Sequence, residues 1–151
     1  MKKIGEYTAR GTVVMDELQR IILDDGSAKT GYRITEFVIA PHDMDDNSAQ
    51  VYSGKLLTDD DVGTGRNWNW AHNDEIAWSL FAYDGNSPAS SNGVPFSLVD
   101  PDNLVIQDLF VTITDNVQTT TNQCNYFIRM EKYEITDWQG ALAMVRNRSQ
   151  A

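Results

Sequence analysis

A chain of 151 residues with 41% hydrophobic and 23% charged residues is expected to form a single domain over 1–151, burying roughly 70% of its unfolded surface. Four Trp, six Tyr and five Phe argue against a disordered chain, and a net charge of −10 disfavours nucleic acid and anionic membranes as partners. The apolar runs fall far short of a membrane span, and no apolar stretch follows Lys2 and Lys3, so a soluble product without a secretory signal is expected.

In chain order, Glu6 to Met15 is rich in Thr and Val and predicts a first strand, kinked or bulged at Gly11. Leu18 to Leu23 predicts a second. Asp25-Gly26 is a turn dipeptide, because Gly tolerates positive φ and Asp bonds its own backbone. With Tyr32 to Pro41 returning as a third strand, this part of the chain reads as an antiparallel hairpin. Gln50 to Leu57 makes a fourth strand. Trp68-Asn-Trp70 alternates, so in a strand the two indoles share one face. Glu75 to Tyr83 is a strongly patterned strand. Ser87 to Phe96 turns rich in Ser, Asn, Gly and Pro and reads as a long surface loop.

The last third organises the rest. Leu104 to Thr114 is apolar on both faces, which predicts a strand covered on both sides or at a subunit contact. Gln123 to Ile135 is its successor, and the upstream strands must pair with these two or pack on them. A closing helix is expected from Asp137 to about Arg148. Asp137 can cap it, Trp138, Ala141, Leu142 and Val145 share a stripe, and Arg146 and Arg148 suit its last turn. The expected fold is all-β: a single-domain antiparallel β-sandwich or jelly roll with a short C-terminal helix.

No residue constellation dictates a chemistry. Cys124 has no internal disulfide partner, and His42 and His72 lie in unrelated loops, so a nucleophile with its base is not expected. There is no Gly-x-Ser-x-Gly elbow and no phosphate-binding Gly-rich loop before a helix. Three acidic clusters offer oxygen ligands: Asp43 to Asn47, Asp59 to Asp61, and Asp100 to Asn103. Alternating Asp43, Asp45 and Asn47 are the best candidates for a structural calcium ion, although none of the clusters has the EF-hand spacing. Such clusters are more often simply solvated loops, so no cofactor is required, and no enzyme is expected.

Charge is unevenly distributed. Lys2 and Lys3 mark one end and Arg146 and Arg148 the other, while Asp43 to Asp61 holds six acids against Lys55. Basic ends on an acidic body suit contacts between copies. Lys2, Lys3, Trp138, Leu142, Val145, Arg146 and Arg148 are therefore the expected protein-contact residues.

The segments Asp100-Pro-Asp-Asn-Leu-Val-Ile-Gln-Asp-Leu-Phe-Val111, Asn125-Tyr-Phe-Ile-Arg-Met-Glu-Lys-Tyr-Glu-Ile135 and Ala141-Leu-Ala-Met-Val-Arg-Asn-Arg-Ser-Gln150 resemble the C-terminal half of small β-rich virion proteins of marine tailed bacteriophages. The resemblance covers roughly the last 50 residues and implies a jelly-roll-like structural protein without an active site. It implies a capsid decoration, cement or minor capsid subunit, made in the host cytoplasm and located in the virion. Its expected partners are its own copies, as a homo-oligomer, and a major capsid protein. The alternative is a glycan-binding β-sandwich module for host attachment, with Trp68 and Trp70 as a sugar platform.

Overall fold

The computed structural model describes residues 2–23, 29–42, 49–60, 67–84, 94–115 and 123–135. Among these residues eight strands form: β1 (Lys2–Val14), β2 (Leu18–Ile21), β3 (Thr30–Pro41), β4 (Ala49–Leu57), β5 (Glu75–Asp84), β6 (Val94–Val99), β7 (Leu109–Asp115) and β8 (Gln123–Glu134). Every strand pair is antiparallel. A three-stranded sheet of order β1-β8-β3 packs on a five-stranded sheet of order β2-β7-β4-β5-β6. This is the expected all-β antiparallel sandwich. The expected closing helix, with Trp138, Leu142, Val145, Arg146 and Arg148, lies outside the described residues.

Alternation along each strand decides what is buried between the sheets. From the small sheet come Val13, Ile34, Phe37, Ile39, Cys124, Ile128 and Met130; from the large one come Tyr52, Leu56, Ala77, Leu109, Val111 and Ile113. Gly54 marks a close approach. A Cβ there would lie 3.2 Å from both Ile113 Cγ1 and Ile39 Cγ2 and 3.3 Å from Phe37 Cζ.

Several local expectations are corrected by the pairing. β2 and β3 are not a hairpin. β2 joins β7 in the large sheet and β3 joins β8 in the small one, because Leu18 and Tyr32 each find their partners in the last third of the chain. The crossing from β1 to β2 is made at Asp16, in the left-handed region (φ 64°), where Asp is among the residues that tolerate it. Its N–H donates to the Ile113 carbonyl at 3.0 Å. The bulge in β1 falls between Lys3 and Gly5, not at Gly11. Gly11 instead sits opposite Tyr126, whose ring occupies the space a side chain would fill: a Cβ would come within 3.0 Å of its hydroxyl.

Only the end of the expected Ser87 to Phe96 loop is corrected: Val94 to Phe96 belong to β6, which completes the large sheet by pairing with β5, and the preceding part of that loop lies outside the described residues. The expected strand from Leu104 to Thr114 is divided. Val105 bridges Tyr32 of the small sheet, and the strand proper starts at Leu109 in the large sheet. The segment between them therefore passes from one sheet to the other. Asp108, on that passage, accepts from the Leu23 N–H at 3.1 Å and pairs with Arg20, tying β2 down. Both faces of β7 are covered, as its sequence predicts: every residue but Phe110 is buried.

Gly54→Val should overpack the contact with Phe37, Ile39 and Ile113 and cost about 1–3 kcal/mol. Urea unfolding followed by tryptophan fluorescence checks this, with an unchanged midpoint as the contrary result.

Candidate functional site

The outer face of the large sheet carries two side-chain rows that follow from the strand register. One row runs Thr112, Lys55, Trp78, Leu98, and the next runs Thr114, Ser53, Leu80, Phe96. Half of these eight residues are apolar, and part of that surface is covered from the end of the β4–β5 connection, where Trp68 packs on Phe96 and Trp70 on Trp78, while Phe96 and Leu98 stay 42% and 41% exposed. Two hydrogen bonds join the ends of the connection: the Thr58 N–H donates to the Asp74 carbonyl at 2.9 Å, and Thr58 Oγ1 donates to Asp74 Oδ1 at 3.0 Å.

A buried ion pair fastens this connection to the sheet. Lys55 and Glu75 are 5% and 4% exposed, with Nζ 3.6 Å from Oε2. Lys55 Nζ donates to the Asn67 carbonyl at 3.2 Å. Glu75 Oε1 accepts from the Asn69 N–H and from Trp78 Nε1–H, both at 2.9 Å. Desolvating two charges is costly, and the cost is offset when mutual attraction comes with further charge-assisted hydrogen bonds. Both ions have them here. The backbone of 67–69 is consequently held on the sheet by donors and acceptors that sit in β4 and β5.

This anchoring decides where the two tryptophans go. Residues 67–69 have no strand conformation and Trp70 lies in a turn, so the shared-face platform expected from a strand does not form. Trp68 stacks on Phe96 (centroids 5.9 Å apart, planes at 24°), while Trp70 tilts against Trp78 (5.9 Å, 60°). Trp70 remains 62% exposed. Beside Trp68 opens a cleft of about 510 Å³ lined by Val51, Ser53, Asn67, Trp68, Leu80, Thr114 and Asp115. Trp68 Nε1 and Thr114 Oγ1 are buried without a hydrogen-bond partner among the described residues. Sequence reasoning singled out Trp68 but missed Ser53, Leu80 and Thr114, which converge only through the register of three strands.

The other expected site residues are scattered. Lys3 is engaged within the chain, 2.6 Å from Glu6 Oε1 and 2.6 Å from Glu131 Oε2. Hydrogen bonds to these carboxylates raise its pKa, and the same bonds lower those of Glu131 and Glu6. Lys2 is exposed at the start of β1. The calcium candidates Asp43, Asp45 and Asn47 lie outside the described residues, and among the described residues no group of three His, Cys, Asp or Glu is arranged to hold a metal. The cluster at Asp100 instead builds a turn. Asp100 Oδ1 accepts from the Asp102 N–H at 3.0 Å, and Asn103 exchanges hydrogen bonds with the Ile34 backbone at 2.8 and 3.0 Å. Cys124 is buried, its thiol facing the Ala40 carbonyl at 3.2 Å, and burial pushes its pKa from 9.0 up to about 12.

No family model matches the chain, and no match is found among curated proteins or solved structures.

Removing either partner of the buried pair strands the other. Lys55→Met and Glu75→Leu should each cost about 3–5 kcal/mol, and the double variant less than their sum. Urea unfolding of the four proteins measures this coupling, and additive losses would mean that the pair does not act as a unit.

Proposed function

We propose that this protein is a non-enzymatic virion structural subunit, a capsid decoration, cement or minor capsid component present in many copies. In this reading it stabilises the shell through contacts with its own copies and with a major capsid protein. The observation that carries the reading is the outer edge of β1. β1 is a 13-residue strand at the end of the small sheet. One backbone edge pairs with β8, and among the described residues no strand pairs with the other. Ile4 and Tyr7 on it are 48% and 50% exposed. An open edge of this length is a template for a strand from another chain.

The remaining edges support the choice of β1 by contrast. β3, the opposite edge of the small sheet, has its outward backbone groups taken by side chains. Ser79 Oγ accepts from the Ile39 N–H at 3.3 Å, Ser97 Oγ donates to the Phe37 carbonyl, and Asn103 serves Ile34. β2 has four residues and β6 has six, which makes both of them short edges. The charge pattern on β1 limits indiscriminate pairing, since Lys3, Glu6 and Arg129 form a ladder across β1 and β8. A subunit that joins neighbours through an edge needs no catalytic group, which agrees with the phage virion resemblance of the last 50 residues. The expected contacts at Trp138, Leu142, Val145, Arg146 and Arg148 belong to the same proposal.

Light scattering coupled to size exclusion, together with co-sedimentation on assembled shells, tests the proposal. The chain should self-associate or bind shells, and the double variant Ile4→Lys, Tyr7→Glu should weaken that association at least about tenfold while leaving the urea midpoint nearly unchanged. A strictly monomeric chain that ignores shells overturns the proposal.

A further inference from the structure

The cleft beside Trp68 is separate from the β1 edge and stands on its own observations. Its floor is the row Thr114, Ser53, Leu80, three residues set side by side because β7, β4 and β5 are in register. Val51 and Trp68 add apolar wall, and Asn67 and Asp115 add polar groups. At about 510 Å³ it falls in the range of small-ligand sites, ~300–1,000 Å³. Two of its lining residues carry polar atoms that the described residues do not satisfy: the hydroxyl of Thr114, a residue 1% exposed, and the indole N–H of Trp68. A buried polar group without a partner is costly, and such a group in a native fold calls for a reason.

The chemistry of the lining selects the ligand. Trp68 can only donate, the carboxylate of Asp115 accepts, and Ser53, Thr114 and Asn67 do both. None of the lining residues is basic, and the chain carries a net charge of −10, which disfavours an anion. An aromatic and aliphatic wall beside mixed donors and acceptors fits a neutral molecule with one apolar face and a rim of hydroxyls. We propose that the cleft between Trp68 and the Thr114–Ser53–Leu80 row binds a neutral pyranose sugar. Trp70 takes no part in it, which separates this site from a platform of two tryptophans. The Lys55–Glu75 pair acts as a positioning device, because it fixes the backbone on either side of Trp68 before any ligand arrives.

Saturation-transfer NMR of the full chain with glucose, galactose, mannose and N-acetylglucosamine, and with glucuronate as the anionic counterpart, tests the site. At least one neutral sugar should receive saturation, and glucuronate should receive less. Thr114→Val and Trp68→Phe keep the shape of the floor and the stack on Phe96 while removing one hydrogen-bonding group each. Each should weaken binding roughly 2- to 12-fold, the worth of one hydrogen bond, in a protein whose urea midpoint is maintained or raised. Trp70→Ala should leave binding unchanged. The proposal is overturned if no neutral sugar binds, if glucuronate binds best, if both conservative variants bind like the parent, or if Trp70→Ala abolishes binding.

Discussion

The pairing of Lys55 with Glu75 is the constraint from which the architecture of the large sheet follows. A sheet has two faces, and here both carry apolar residues: Leu56, Ala77, Val111 and Ile113 turn toward the small sheet, while Trp78, Leu80, Phe96 and Leu98 turn away from it beside Lys55, Ser53, Thr112 and Thr114. The inner face has a partner in the small sheet. The outer face has residues 67–70 of the β4–β5 connection, whose non-strand backbone brings polar groups onto the sheet. Those groups find partners in two charged side chains planted in the sheet itself, which turns an unfavourable burial into a set of charge-assisted hydrogen bonds. Hydrophobic residues at 55 and 75 would remove the sheet's partners for the Asn67 carbonyl and the Asn69 N–H, the two bonds that flank Trp68.

The same economy governs the margins of the sandwich. Where the sheets meet along β3, serine and asparagine side chains reach across and occupy backbone groups that a fourth strand of the small sheet would otherwise use. Along β1 no such side chains stand among the described residues. Among the described residues one edge of the small sheet is thus chemically closed and the other open, although both belong to one three-stranded sheet. β8 lies between them and bonds both, with twelve register pairs to β1 and eleven to β3.

Much of this was legible in the residues. Residue pattern located seven of the eight strands, although β7 begins five residues after the expected Leu104, and the last third does supply strands that pair with β1, β2, β3 and β4. β7 and β8 nevertheless do not pair with each other. They lie in opposite sheets, a fact that period-two patterning cannot reveal, because it assigns faces and not neighbours. β6 was hidden for a related reason: Val94-Pro-Phe-Ser-Leu-Val99 follows a run of Ser, Asn and Gly and contains a proline, which is tolerated at an edge and discouraged elsewhere. The tryptophans show the limit most clearly. Trp68-Asn-Trp70 alternates like a strand, but its conformation is dictated by Lys55 and Glu75, residues twelve positions before Asn67 and six after Asn69. Thr114 and Ser53 carry no local signal of a cleft. They become neighbours only when β4 and β7 pair.

The single thiol has a practical corollary. Cys124 lies on the inner face of β8, shut off from solvent and with its ionisation pushed to about 12, so at neutral pH it is neither exposed nor a thiolate. The native chain is therefore silent toward maleimides and disulfide exchange as long as it stays folded. A cysteine placed at an exposed strand position is then the sole handle for a fluorophore or spin label, with no background to remove and no core residue to replace.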